Sequence, residues 1–142
     1  MKKLTKITLA AVGLAVVIQI VPYGRDHYNP AVVNEPRWDS PRTKALFERA
    51  CADCHSNRTR WPAYANIAPV SWLVTHDVNE GREHFNVSLW GVKEKNEGKK
   101  AAKELKEGEM PPAIYTLMHP KARLSDVERK ALIEGLQKTF GE

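Results

Sequence analysis

The chain has 142 residues, enough for one domain with a single hydrophobic core. Its formal net charge is +5, but residues 1–30 contribute 4 − 1 = +3 of it, and the remaining residues carry 18 basic and 16 acidic side chains. This near balance leaves no concentrated basic surface with interleaved aromatic side chains, which excludes a nucleic-acid-binding protein.

The N-terminus has the pattern of an export signal. Three lysines precede an apolar run from Ile7 to Val21, and Pro22 ends it. No small-x-small cleavage triplet follows, so we expect residues 1–22 to form an uncleaved membrane anchor; a signal peptide that is removed is the alternative. In both cases the basic flank stays in the cytoplasm, and everything after Pro22 lies on the exported, periplasmic face of the bacterial membrane.

Residues 23–39 contain prolines and little apolar periodicity, and they predict an extended tether. The folded domain is then residues 40–142. Apolar residues recur there at helical spacing, and no segment shows sustained period-2 alternation. We therefore predict an all-α domain, preceded by the N-terminal hydrophobic helix.

Capping residues predict where the helices begin. Ser40 as N-cap and Pro41 as first helical residue start a helix through RTKALFERAC. Pro69 opens a second helix, VSWLVTHDVNEGREHF, and a capping box of Ser125 with Glu128 opens the last one.

Weaker signals complete the chain. The stretch from Lys99 to Lys106 predicts a short helix that Gly108 ends, and Ser88 is a candidate helix cap. The segment EMPPAIYTLMHPKAR is broken by prolines and predicts a loop. In the last helix we expect four apolar residues to face the core: Val127, Ala131, Leu136 and Phe140.

The two cysteines of the chain stand in the stretch CADCH, as Cys51, Cys54 and then His55. C-x-x-C-H is the pattern of c-type haem attachment. At this spacing the two sulfurs can form thioethers with the two haem vinyl groups, which delivers the next residue, His55, to the iron as proximal ligand. The motif predicts one covalently bound haem c.

Two other chemistries use closely spaced cysteines. A thioredoxin-like dithiol follows a strand and opens a helix, whereas this motif closes a predicted helix. A structural zinc site needs four ligands, and the other histidines lack an H-x3–5-H arrangement. A disulfide between Cys51 and Cys54 would close a very small loop and stabilise little.

The segment LFERACADCH resembles the first helix and haem motif of class I cytochromes c. Nearly the whole chain also resembles short, membrane-anchored bacterial haem-binding domain proteins, through CADCHSNRTRWPAYANIAPVSWLVTHDVNEGREHFN and EGEMPPAIYTLMHPKARLS. It departs from their usual WPWYA at Ala63 and from LNFSEW at FNVSLW, and it has Asp77 where such proteins often have a histidine. The resemblance implies a cytochrome c-like helical domain wrapped around one haem.

The EGEMPP element resembles the methionine element that closes the haem pocket of class I cytochromes c, which nominates Met110 as the distal iron ligand. A thioether favours Fe(II), and Pro111 with Pro112 would stiffen the loop. His84, His119 and Met118 are alternative ligands. A further set, in the loop after the motif, could contact the haem propionates or simply pack: Arg58, Arg60, Trp61 and Tyr64.

Two functions of different classes follow from the predicted haem. With a filled sixth site, the protein would be a membrane-tethered electron carrier, not an enzyme, that meets redox partner proteins at the membrane surface. With an open or labile sixth site, it would be a haem enzyme or sensor acting on peroxide or a small gas, with His84 or His119 as a distal acid–base group. A haem-dependent structural module is a third reading. We favour the electron carrier.

Overall fold

The structure, a computed structural model, describes residues 2–141. Those residues form seven α-helices joined by loops and short 3-10 turns, with one isolated bridge between Asn34 and Leu89 and no strand. The helices are α1 (Lys2–Val17), α2 (Pro41–Ala50), α3 (Ala52–His55), α4 (Val70–His84), α5 (Ala101–Glu107), α6 (Ala113–Met118) and α7 (Asp126–Phe140). The predicted all-α fold with a hydrophobic N-terminal helix is confirmed.

Helix α1 continues through a 3-10 turn, Ile18–Ile20, so that Lys2–Ile20 forms one helical rod of 19 residues. At 1.5 Å per residue the rod is about 28 Å long, close to the hydrocarbon thickness of a bilayer. Its apolar side chains are exposed up to Val17. By length and composition this helix could cross a membrane.

The described chain divides into two compact units. Unit 1 comprises the described residues up to Tyr28 together with Trp61–Asp77. Unit 2 comprises Asn29–Arg60 and the described residues from Val78 onward, so it contains the C-x-x-C-H motif and the Met110 element. The boundaries 1–22, 23–39 and 40–142 stay a prediction.

The core of unit 2 forms where α2 and α5 pack on α7. Phe47, Leu132 and Leu136 are almost fully buried there. Each such side chain stabilises the fold by about 1.5–3 kcal/mol. Gly135 lets α2 approach α7, because a Cβ at this position would overlap Thr43. The predicted starts of both helices are confirmed, since Ser40 caps α2 and the capping box of Ser125 opens α7.

The second half of the segment predicted as a tether packs within unit 2. The indole of Trp38 lies 5.0 Å from the Phe47 ring and 5.8 Å from that of Phe140, measured between centroids. The backbone of Asn34 accepts a hydrogen bond from the Trp90 N–H at 3.0 Å. The single tryptophan of the segment supplies the apolar area that holds this half against the helices.

Three local predictions are wrong. Residues 113–118, predicted as part of a loop, form α6. Pro112 permits this helix because it is the N-cap residue, where it interrupts no helical hydrogen bond. Val127 is 71% exposed, since it lies in the first turn of α7, beyond the core packing. Ser88 caps no helix; it is buried, and its hydroxyl accepts a hydrogen bond from the Asn57 N–H at 2.9 Å.

Candidate haem site

The C-x-x-C-H motif forms a one-turn helix directly behind α2. The Cys51 N–H donates to the Phe47 carbonyl and ends α2, while the Cys51 carbonyl accepts from the N–H groups of Cys54 (3.2 Å) and His55 (3.0 Å). Residues three and four apart on a helix share a face. Both cysteines are free thiols, so the turn brings two sulfurs and one imidazole to one surface.

The imidazole of His55 is oriented by two backbone carbonyls. Its Nδ1 lies 3.0 Å from the Gly81 oxygen and 2.9 Å from the Phe85 oxygen. Carbonyl oxygens only accept, so Nδ1 carries the hydrogen and Nε2 keeps its lone pair. Burial lowers the pKa of His55, which keeps the ring neutral. The Nε2 atom is therefore prepared to bind a metal ion.

The C-terminal end of α4 supplies these carbonyls because a glycine allows a close approach. A Cβ at Gly81 would lie 2.5 Å from the Cys54 carbonyl oxygen and 2.8 Å from the Cys54 Cβ. The role of Gly81 is not predicted by the sequence patterns considered above. A glycine inside a helix costs about 1 kcal/mol relative to alanine, and this cost is itself a signal of close packing.

Asp53, between the two cysteines, is the centre of a buried polar network that the sequence analysis also missed. Its carboxylate accepts from the Arg60 N–H and Nε, both at 3.0 Å, and from the Tyr115 hydroxyl at 2.7 Å. The side chain of Asp53 is buried, so these donors replace its lost hydration. The network holds helix α6 against the C-x-x-C-H turn.

The backbone of Met110 is held by hydrogen bonds at both its N–H and its carbonyl group. Gly108 ends α5 in the left-handed conformation at φ +82°, as predicted, and the Met110 N–H donates to the Glu104 carbonyl at 3.3 Å. Arg129 of α7 donates to the Met110 carbonyl at 3.3 Å. The Met110 side chain is 36% exposed, and Tyr115 of the Asp53 network follows five residues later.

The other candidate ligands lie at more exposed positions or have other partners. His84 is exposed, with its Nδ1 3.7 Å from a Glu97 carboxylate oxygen. His119 stacks on the Tyr115 ring at a centroid distance of 4.5 Å. Met118 is exposed at the end of α6.

Comparisons with known proteins decide the family. The family model described as "Haem-binding domain" matches residues 13–138, which is most of the chain. The chain belongs to the haem-binding domain family. It is also 27% identical, over 104 residues, to the cytochrome c peroxidase Ccp of Escherichia coli (strain K12); this match covers 68% of the chain but only 22% of that protein. No solved structure matches the chain.

The donor chemistry of this haem-binding domain fits a haem iron better than the other two chemistries. The pKa of the Cys51 thiol is raised to about 12, mainly by burial and to a smaller extent by the nearby Cys54. A redox-active dithiol needs the opposite shift, because the thiolate is the attacking species. Residues 2–141 contain no cluster of three or more His, Cys, Asp or Glu side chains arranged to hold a metal ion. The neutral His55 with its available Nε2 suits haem.

The candidate propionate contacts are divided between the units. In unit 2, Arg58 pairs with Glu35 at 2.7 Å and Arg60 with Asp53 at 3.0 Å. Trp61 and Tyr64 belong to unit 1, where Trp61 stacks on His27 at a centroid distance of 4.7 Å. A role of these four residues toward the propionates stays a prediction.

Arg82 is a further basic residue near the motif that the sequence analysis did not single out. Its guanidinium donates to the Ser56 carbonyl at 2.9 Å and to the Thr59 hydroxyl at 2.8 Å. Partial burial lowers the pKa of Arg82. Arg82 therefore ties the end of α4 to the loop that follows the haem motif.

Proposed function

We propose that this haem-binding domain is a membrane-tethered, mono-haem c-type cytochrome that transfers single electrons on the exported side of the bacterial cytoplasmic membrane. Cys51 and Cys54 attach the haem, His55 is the proximal iron ligand and Met110 the distal one. The haem iron supplies the redox chemistry by alternating between Fe(III) and Fe(II).

The orientation of His55 is the observation that carries the proposal. Two carbonyls, of Gly81 and Phe85, accept from Nδ1–H, which leaves the lone pair on Nε2 for a metal ion. A hydrogen bond at the second ring nitrogen is the usual support of a metal-ligating histidine, because it fixes the tautomer and raises ligand basicity. The two free cysteines one turn away give the same surface its attachment points.

Covalent attachment is supported by the state of the Cys51 thiol. Each thioether forms when the thiol S–H adds across a vinyl C=C bond, with sulfur on one carbon and hydrogen on the other. The raised pKa of Cys51 keeps its proton at neutral pH and disfavours oxidation to a disulfide.

Met110 is supported by its loop. The backbone on either side of it is held by Glu104 and Arg129, while the thioether itself is partly exposed. A soft sulfur ligand on such a loop would raise the reduction potential and close the sixth site. The Tyr115–Asp53 hydrogen bond attaches the following helix to the haem motif, so the Met110 loop leads into a helix that is held at the motif.

One observation favours the alternative function. The Escherichia coli relative is named a cytochrome c peroxidase, which suggests a haem enzyme acting on peroxide through an open or labile sixth site. The chain covers only 22% of that relative, so the match does not extend to most of that protein. Met110 closing the sixth site would favour the electron carrier.

Spectroscopy of the protein produced with a haem c maturation system tests the proposal. We expect haem that remains attached on denaturation, a low-spin spectrum with a methionine-to-ferric charge-transfer band, and little binding of carbon monoxide to the reduced form. Met110→Ala should abolish the band and admit carbon monoxide, whereas Met118→Ala, at another exposed methionine, should change neither. A parental spectrum in Met110→Ala would refute Met110 ligation, and a high-spin parent would favour the enzyme or sensor.

A further inference from the structure

A stretch of unit 1 has the composition of a membrane-interface segment. From Trp61 to His76 the chain contains no Lys, Arg, Asp or Glu, although these residues make up 27% of the whole sequence. The stretch includes the 3-10 turn Ala63–Asn66 and the first half of α4. Surface segments of soluble domains are normally rich in charged side chains, so their absence here needs a physical reason.

Three large apolar side chains of this stretch are exposed. Ile67 is 58% exposed, Val70 40% and Leu73 49%. They are spaced three residues apart, and the Ser71 N–H donates to the Ile67 carbonyl at 2.9 Å, so the helical spacing places all three on one side. Large apolar side chains that are exposed together on one side of a segment are typical of an interaction site. We call Ile67, Val70 and Leu73 the apolar face.

The end of the N-terminal helix is bonded to the same stretch. Gln19, the penultimate residue of the apolar rod, accepts from the Ala68 N–H at 3.0 Å and donates to the Ala68 carbonyl at 2.9 Å. Arg25 adds a hydrogen bond to the Gln19 side chain at 3.0 Å. If the rod crosses the bilayer, its last turn lies at the boundary with water, so Ala68, next to Ile67, lies at that depth as well.

Aromatic residues are concentrated in unit 1. Outside the rod, it contains Tyr23 and Tyr28, which are exposed, together with Trp61, Tyr64 and Trp72. Tryptophan and tyrosine are enriched at membrane–water interfaces, where the ring is partly in the apolar region and the polar group in water. An uncharged apolar face with neighbouring aromatic rings matches the chemistry of that boundary.

We infer that the apolar face inserts into the exported-side interface of the lipid bilayer, as a second membrane contact beside the N-terminal helix. This inference rests on the proposed membrane anchor. The bilayer is favoured as the occupant because Gln19 holds the face at the end of the helix that would span it. Unit 1 is then a membrane-bound element, and residues 23–28 do not act as a free tether.

Photo-crosslinking of the full-length, haem-bound protein tests this inference. p-Benzoylphenylalanine is placed at one of three positions: Val12 in the rod, Leu73 in the apolar face, or Leu117, which is 63% exposed on α6 of unit 2. The variants are reconstituted in bilayers of phosphatidylethanolamine and phosphatidylglycerol and irradiated, and adducts are identified by mass. We expect lipid adducts at Val12 and at Leu73, the latter several-fold above the yield at Leu117.

The outcomes separate the inference from the anchor. Lipid adducts at Val12 without any at Leu73 would overturn the inference while the anchor stands, and no adducts at either position would overturn both. An adduct with the mass of a second chain at Leu73, or equal lipid yields at Leu73 and Leu117, would also overturn the inference. Gln19→Ala should lower the Leu73 yield and leave the Val12 yield unchanged; an undiminished yield would refute the role of Gln19.

Discussion

The hydrogen bond between Tyr115 and Asp53 gives the sharpest test of how the haem motif is held. Tyr115→Phe removes one hydroxyl and keeps the ring that stacks on His119. Asp53 is buried and keeps the hydrogen bonds from Arg60, so the change deletes a single contact without leaving the carboxylate unpaired. The substitution therefore isolates the link between α6 and the haem motif.

The expected loss of stability follows from the kind of bond. A hydrogen bond to a charged group contributes about 1.5–3 kcal/mol. Tyr115 is only half-buried, so water can replace part of the lost interaction, and we expect the lower end, about 1.5 kcal/mol. Urea denaturation of the detergent-solubilised, haem-bound protein, followed by tryptophan fluorescence, measures the difference. Tyr23→Phe, at an exposed tyrosine, serves as control and should change the free energy of unfolding little.

The same contact predicts a pH dependence. Burial and then the hydrogen bond to Asp53 raise the pKa of Tyr115, so the folded state binds the proton more tightly than the unfolded state, in which a tyrosine titrates near pH 10. Its contribution is fully present below about pH 10 and is lost as the pH rises through the folded-state value. The difference in stability between the parent and Tyr115→Phe should shrink above about pH 10.

Two results would refute this reasoning. Equal free energies of unfolding for the parent and Tyr115→Phe at neutral pH would show that the hydroxyl does not stabilise the haem motif. A difference between them that persists unchanged well above pH 10 would show that the bond is not made by a protonated phenol on a carboxylate.

Three further predictions concern packing and capping. Gly81→Ala should force α4 away from the haem motif, because the new Cβ would meet the Cys54 carbonyl oxygen at 2.5 Å; haem incorporation, measured by absorbance per protein, should fall. Leu132→Ala, at a fully buried position, should lower the free energy of unfolding by about 2–5 kcal/mol, whereas Val127→Ala, at an exposed position of the same helix, should have little effect. Ser125→Ala removes the cap of α7 and should cost about 1 kcal/mol in denaturant titration. If Leu132→Ala and Val127→Ala lowered the free energy of unfolding equally, Leu132 would not belong to the core.

The helices that could be predicted from the sequence are those whose signals are local. Ser40 accepts from the Thr43 N–H, and Ser125 and Glu128 accept from each other's backbone N–H, so both predicted starts rest on contacts within one helical turn. Helix α6 was missed because proline punctuation predicts a loop, and only packing decides whether a six-residue segment forms a helix. The prediction that Val127 faces the core is wrong because helical spacing predicts which side of a helix is apolar, but not how far along that side the neighbouring helices extend.

The same division holds for the candidate site. The spacing of Cys51, Cys54 and His55 is a local property, so the sequence by itself determined a haem motif, and the family match agrees with haem binding. Which nitrogen of His55 carries the hydrogen depended on the carbonyls of Gly81 and Phe85, far along the chain. Only tertiary structure decides such contacts, because a hydrogen bond between distant residues leaves no periodicity or spacing in the sequence.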